Sequence, residues 1–187
     1  MIQRLRQNRS LVRNAVYSLA MIVSCTWLTM GTPTVGLADM KFDSNSLPEH
    51  VDAMRNAILD AAETGNIDEM RIPIELNEIP PLINGSAEGD PVSLLRQISP
   101  DTDGAEVLAG ILEILAMPAV RSADGQTFTW PYLATRDLRL AKPMEKVDLF
   151  RLIPGTDAKQ MLKSGKYSYF RLEIGADGTW HTFQIGQ

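Results

Sequence analysis

Cysteine is almost missing from this chain. Its 187 residues contain one, Cys25, so no intrachain disulfide can form and no cysteine-cluster zinc site can be built. Histidine is nearly as scarce, with His50 and His181 alone. The chain has no H-E-x-x-H pair, no G-x-G-x-x-G or P-loop glycine pattern, and no G-x-S-x-G elbow. Each absence removes a chemistry that needs those residue types at those spacings: metalloprotease, dinucleotide or NTP site, and α/β-hydrolase. A calcium loop also fails. Aligning Gly104 of SPDTDGAEVLAG with the loop glycine puts Asp101 and Asp103 at ligand positions, but Ser99 then stands first and Gly110 last, where an Asp and a bidentate Glu are required. Asp103 is expected instead to cap the helix that follows. No metal or other cofactor is expected.

Basic residues are outnumbered, 18 Lys and Arg against 23 Asp and Glu. Four of the arginines (Arg4, Arg6, Arg9 and Arg13) crowd the start, where no acidic residue occurs. Sixteen uncharged, mostly apolar residues follow, Ala15 to Met30, and then TPTVGLA with small Gly36 and Ala38. A basic start, an apolar core and small residues before a cut describe a secretory signal peptide over 1–38, cleaved after Ala38. The core is shorter than the roughly 18–20 residues that cross a bilayer. Within it, Ile22-Val23-Ser24-Cys25 resembles a lipobox, so acylation of Cys25 is the alternative, giving a lipid-anchored protein. Cleavage after Ala38 leaves 149 residues, 39–187, with net charge −9 and no thiol. That length suits one domain with a true core, periplasmic or secreted. Its acidity argues against nucleic acid and against an anionic bilayer, leaving membrane contact to an acylated Cys25.

Helical signals fill the first half of that domain. Ser46, Pro48 and Glu49 mark a start and Gly65 a stop, with Val51, Met54, Ile58 and Ala61 or Ala62 forming one apolar stripe between them. Ile67, Met70 and Ile74 share a face of a second, weaker helix that Pro73 limits. NEIPPLINGSAEGD, residues 77–90, reads as a long loop without regular structure. Asp90 and Pro91 open a third helix, and AEVLAGILEILA, apolar around most of its circumference, is the expected central one. The second half changes period. Phe128, Trp130 and Tyr132 alternate after an Asp-Gly turn. KPMEKVDLFRLI predicts a helix with Val147, Phe150 and Leu152 or Ile153 inward, and Thr156 caps a short helix ending at Gly165. The pattern predicts an α+β fold: an N-terminal helical layer packed on a small antiparallel β-sheet that ends in a C-terminal β-hairpin.

Asp177-Gly178 favours a two-residue turn in that hairpin. This register pairs Ile174 with His181, Leu172 with Phe183 and Phe170 with Ile185, giving one apolar face that also holds His181. The other face collects Tyr167, Tyr169, Arg171, Glu173 and Trp180, with Trp180 lying over Gly175. Five residues, Trp130, Tyr132, Tyr169, Arg171 and Trp180, are therefore the candidate binding site. Flat rings offer contact area and a guanidinium offers directed donors, suiting a small polar ligand or an envelope protein. The plainer reading is that another element covers this face and that Arg171 simply pairs with Glu173.

No catalytic residue follows from a motif. The alternative function is hydrolysis of an envelope polymer with Glu78, in the long loop, or His181 as acid/base. NEIPP, DP at 90–91, WPYLA at 130–134 and GKYSYFRLEIGADGTW at 165–180 together make the chain resemble small exported proteins of Gram-negative bacteria. That resemblance implies a periplasmic home and brings no activity, cofactor or site residue with it.

Overall fold

A computed structural model describes residues 41–186. The expected signal peptide, the lipobox-like run at Cys25 and the expected cleavage after Ala38 lie outside the described residues. Within these residues, six α-helices and a six-stranded sheet form an α+β fold. The helices are α1 (Glu49–Glu63), α2 (Arg71–Glu75), α3 (Pro91–Ile98), α4 (Ala105–Leu115), α5 (Pro143–Leu152) and α6 (Gly155–Ser164). The strands are β1 (Lys41–Phe42), β2 (Leu82–Ile83), β3 (Ala119–Arg121), β4 (Thr127–Trp130), β5 (Phe170–Gly175) and β6 (Trp180–Ile185), in the order β1-β3-β4-β5-β6-β2.

The helix stripes land where their spacing puts them. Val51, Met54, Ile58, Ala61 and Ala62 are the buried residues of α1, and Val107, Leu108, Ile111, Ile114 and Leu115 bury α4. They meet Phe170, Leu172 and Ile174 of β5 and Phe128 and Trp130 of β4 in the main core. Gly110 lets α4 approach the sheet closely, for a Cβ there would lie 2.1 Å from the Phe170 ring. Asp90 caps α3 by accepting the Ser93 N–H at 3.0 Å, with Pro91 first in the helix. At α4 the capping carboxylate is that of Asp101, not Asp103. It accepts the Ala105 and Glu106 N–H groups at 2.8 and 2.9 Å and the Ser99 hydroxyl. Those donors, with the Ser99 hydroxyl foremost, hold its pKa far below the usual carboxylate range.

Three departures from the sequence reading have physical causes. The sheet is not purely antiparallel, because Leu82-Ile83, inside the expected loop, pairs in parallel with Thr182-Phe183. Two residues between a Pro-Pro pair and a tight turn are too few to show a strand period. Lys41-Phe42, which precede the first helix signal, add the opposite edge strand against Ala119-Val120. Finally, α5 is turned relative to its expected orientation. Leu152 and Ile153 are buried as expected, but Val147 and Phe150 face solvent, and Glu145 and Leu149 face inward in their place. Glu145 explains the rotation: its carboxylate accepts the Lys142 N–H at 2.8 Å and lies 3.8 Å from the Arg136 guanidinium. A capping carboxylate tied to that partner draws its own side of the helix inward. Leu149, Leu152, Ile153, Ala158 and Met161 then close a second, smaller core around Tyr132, Leu133 and Tyr167.

Candidate functional site

The hairpin tip decides which side chains reach solvent. Gly175 donates its N–H to Thr179 O at 2.8 Å and accepts the Gly178 N–H at 2.9 Å, so the loop has three residues and ends on Gly178 at φ +89°. Three-residue loops of this kind place glycine in the left-handed position. Ile174 consequently pairs with Trp180, not His181. A bulge then restores the register, since Glu173 pairs with Thr182 and Leu172 with Phe183. His181 is the extra residue. A one-residue slip reverses side-chain facing, so Trp180 enters the core, fully buried, and His181 is exposed. The Trp180 indole N–H donates to Thr182 O at 3.1 Å. The ring beside Gly175 is that of His181, whose Nε2 would stand 2.7 Å from an added Cβ.

The five candidate residues are thereby separated. Trp130 and Trp180 belong to the main core and Tyr132 to the second one. The Tyr132 hydroxyl donates to Asp148 at 2.6 Å, and burial followed by that bond raises its pKa well beyond the usual phenol range. Tyr169 and Arg171 alone share a cleft, about 440 Å³, with Arg136, Lys166 and Gln184. Arg171 is already engaged there: its Nη2–H donates to Gln184 Oε1 at 2.8 Å, and its Nε lies 3.6 Å from Glu173. The Tyr169 ring packs on Phe170 with centroids 4.5 Å apart.

A larger groove, about 840 Å³, opens at the hairpin tip. Leu76, Asn77, Glu78, Ile79, Pro80 and Leu82 form one wall, and the tip from Asp177 to His181 forms the other. The chain reaches this position because α2 stops at Glu75 and Pro80-Pro81 forbids another helix. Asn77 then fastens it. Its side-chain carbonyl accepts the Trp180 N–H at 3.0 Å, and its amide donates to Trp180 O at 3.4 Å, so the amide replaces a neighbouring strand's peptide group. Leu76, Ile79 and Leu82 are left exposed, Ile79 by 76 %. Glu78 and Asp177 are the carboxylates lining the groove, and no Lys or Arg lines it. The Thr179 N–H, with a smaller contribution from His181, keeps the Asp177 carboxyl below its ordinary range and so charged.

Sequence reasoning singled out Glu78 and His181 but did not bring them together; the groove does. It missed Asn77, Ile79 and Leu82. The available signal was a run of apolar residues in a loop that prolines bar from forming a helix, where nothing in the pattern supplies a partner to bury them. Among the described residues no three His, Cys, Asp or Glu side chains are grouped to hold a metal. The chain matches no protein-family model, no curated protein and no solved structure.

Proposed function

We propose that this protein is an exported, non-catalytic domain that binds an extended apolar segment of an envelope protein, with a basic side chain, in the groove between residues 76–82 and the hairpin tip. The observation that carries this reading is the exposure of Leu76, Ile79 and Leu82 along one open groove. Contiguous exposed apolar side chains on a monomer mark interaction surfaces more often than chance solvation. Glu78 and Asp177 on the walls, with no Lys or Arg lining the groove beside them, favour a cation in the partner. Asn77 already occupies the Trp180 backbone groups, so recognition there runs through side chains rather than through an added strand.

Selection of random peptides on the immobilised protein tests the reading. Enriched sequences should combine bulky apolar residues with Lys or Arg. Ile79→Asp should weaken their binding by about tenfold or more, the loss of one buried apolar side chain, without lowering the melting temperature. Enrichment of acidic or purely polar peptides, or indifference to Ile79→Asp, would sink it.

One observation favours a second reading, hydrolysis of an envelope polymer: Glu78 and His181 line the same groove. Among the described residues no hydrogen bond joins them, and a productive acid/base pair would have to form around substrate. That reading expects turnover of peptidoglycan or oligosaccharide fragments, lost in Glu78→Gln. Absence of turnover across such a panel leaves the binding reading alone.

A further inference from the structure

Charge is unevenly distributed over the domain. Residues 136–166 contain eight basic and four acidic side chains, net +4, whereas the rest of the described chain has six basic and eighteen acidic, net −12. The positive segment is the one that carries α5 and α6, and α5 has an apolar stripe with no partner. Met144, Val147 and Phe150 recur every three residues along its outer side and face solvent, as does Leu140 just before it; Leu140 is 80 % exposed and Met144 63 %. On a helix of 3.6 residues per turn, Lys146 and Arg151 fall on either side of that stripe. Both are exposed. Lys146 makes no ion pair among the described residues, and Arg151 stands 3.7 Å from Asp148 while remaining 69 % exposed.

We infer that the outer side of α5, with Leu140, is a docking surface for an anionic lipid bilayer, the helix lying along the interface. Apolar side chains entering the headgroup boundary with cations beside them are what an interfacial helix presents. Charge complementarity decides the occupant. A cationic side chain near an anionic leaflet is attracted over about a Debye length, and the surplus of four charges is concentrated on this one segment. The same field turns the acidic remainder of the protein outward, away from the lipid. The net charge of −9 expected for the processed chain argues against such a surface only when it is spread evenly, and it is not. Contact of this kind needs no acyl group on Cys25. The groove beside the hairpin takes no part in it, so the two proposals stand or fall separately.

The test is co-sedimentation of the chain from Asp39 to Gln187, which lacks Cys25 and contains every buried residue of both cores. Vesicles of phosphatidylcholine alone are compared with vesicles in which half the lipid is phosphatidylglycerol. Binding to the anionic vesicles only, weakened by salt, is expected. Phe150→Asp should reduce partitioning by at least about tenfold by removing buried apolar area, and Lys146→Glu by roughly tenfold through charge reversal. Both sites are exposed, and an unchanged thermal melt confirms that each variant is folded. Three results would overturn the inference: no sedimentation with anionic vesicles, equal binding to neutral ones, or binding that neither variant reduces. Self-association in lipid-free buffer that Phe150→Asp abolishes would also overturn it, assigning the face to a second copy of the chain.

Discussion

Trp180→Ala is expected to destabilise the protein by about 3–5 kcal/mol, the cost of emptying a large aromatic site in a packed core. The indole is completely buried, and its N–H is satisfied by Thr182 O, so truncation removes both packing and a paired donor. At a few degrees per kcal/mol for a chain of this size, the melting temperature should fall by roughly 10 °C or more. Urea unfolding of the two proteins measures the difference. A loss below about 1 kcal/mol, the range of a surface substitution, would mean that the ring lies outside the core and that the two-residue turn is the true hairpin. The prediction therefore separates the two registers energetically. A tryptophan presented to a ligand could be removed cheaply.

The second large effect is at Gly110. Helix propensity by itself predicts that replacing a glycine in the middle of α4 stabilises the protein, by about 1 kcal/mol for alanine and less for valine, because glycine has the most backbone freedom to lose. Packing predicts the reverse. Carbons of the Phe170 ring lie 2.1 and 2.2 Å from where a Cβ would stand, and that ring is itself held by Phe183, centroids 5.4 Å apart, and by Tyr169. The ring has nowhere to go without moving β5 or β6. Gly110→Val, which adds two methyl groups beyond the Cβ, should cost about 3 kcal/mol through overpacking. Thermal or urea unfolding gives the sign at once. An unchanged or raised stability would show that α4 does not approach the sheet this closely.

The layers of this fold were legible wherever a period ran long enough to be read. The stripes of α1 and α4 and the Asp90-Pro91 start of α3 follow from helical spacing and capping chemistry, and the structure places them accordingly. Two-residue strands were not legible, because β1 and β2 exist through pairing with distant residues and leave no local pattern. The α5 reading held for the helix and for Leu152 and Ile153 but failed at Val147 and Phe150. Its apolar residues lie on two sides, and the side facing inward carries Leu149 and Leu152 together with Glu145, a charged residue with specific partners that a hydrophobic pattern does not count.

The hairpin shows how a small backbone choice moves a candidate site. Asp177-Gly178 fits a two-residue turn and also the end of a three-residue one. The far end of the strands could not discriminate between them, because the bulge at His181 restores the Leu172–Phe183 pairing that either register wants. Only the tip differs, and there it exchanges Trp180 for His181 at the surface. The aromatic platform depended on that exchange, and the groove beside residues 76–82 is its consequence. With His181 turned outward, the tip and the loop face each other across open space.

The most direct measurement of that account is amide chemical-shift mapping on the isotope-labelled protein, titrated with a peptide enriched by selection. Binding in the groove predicts saturable shifts on residues 76–82 and 177–181, with Asn77 and the Trp180 amide among the largest because they are bonded across the groove wall. Shifts that instead centre on Ala134–Asp137, Tyr169, Arg171 and Gln184 would place the ligand in the basic cleft and contradict the groove as the site.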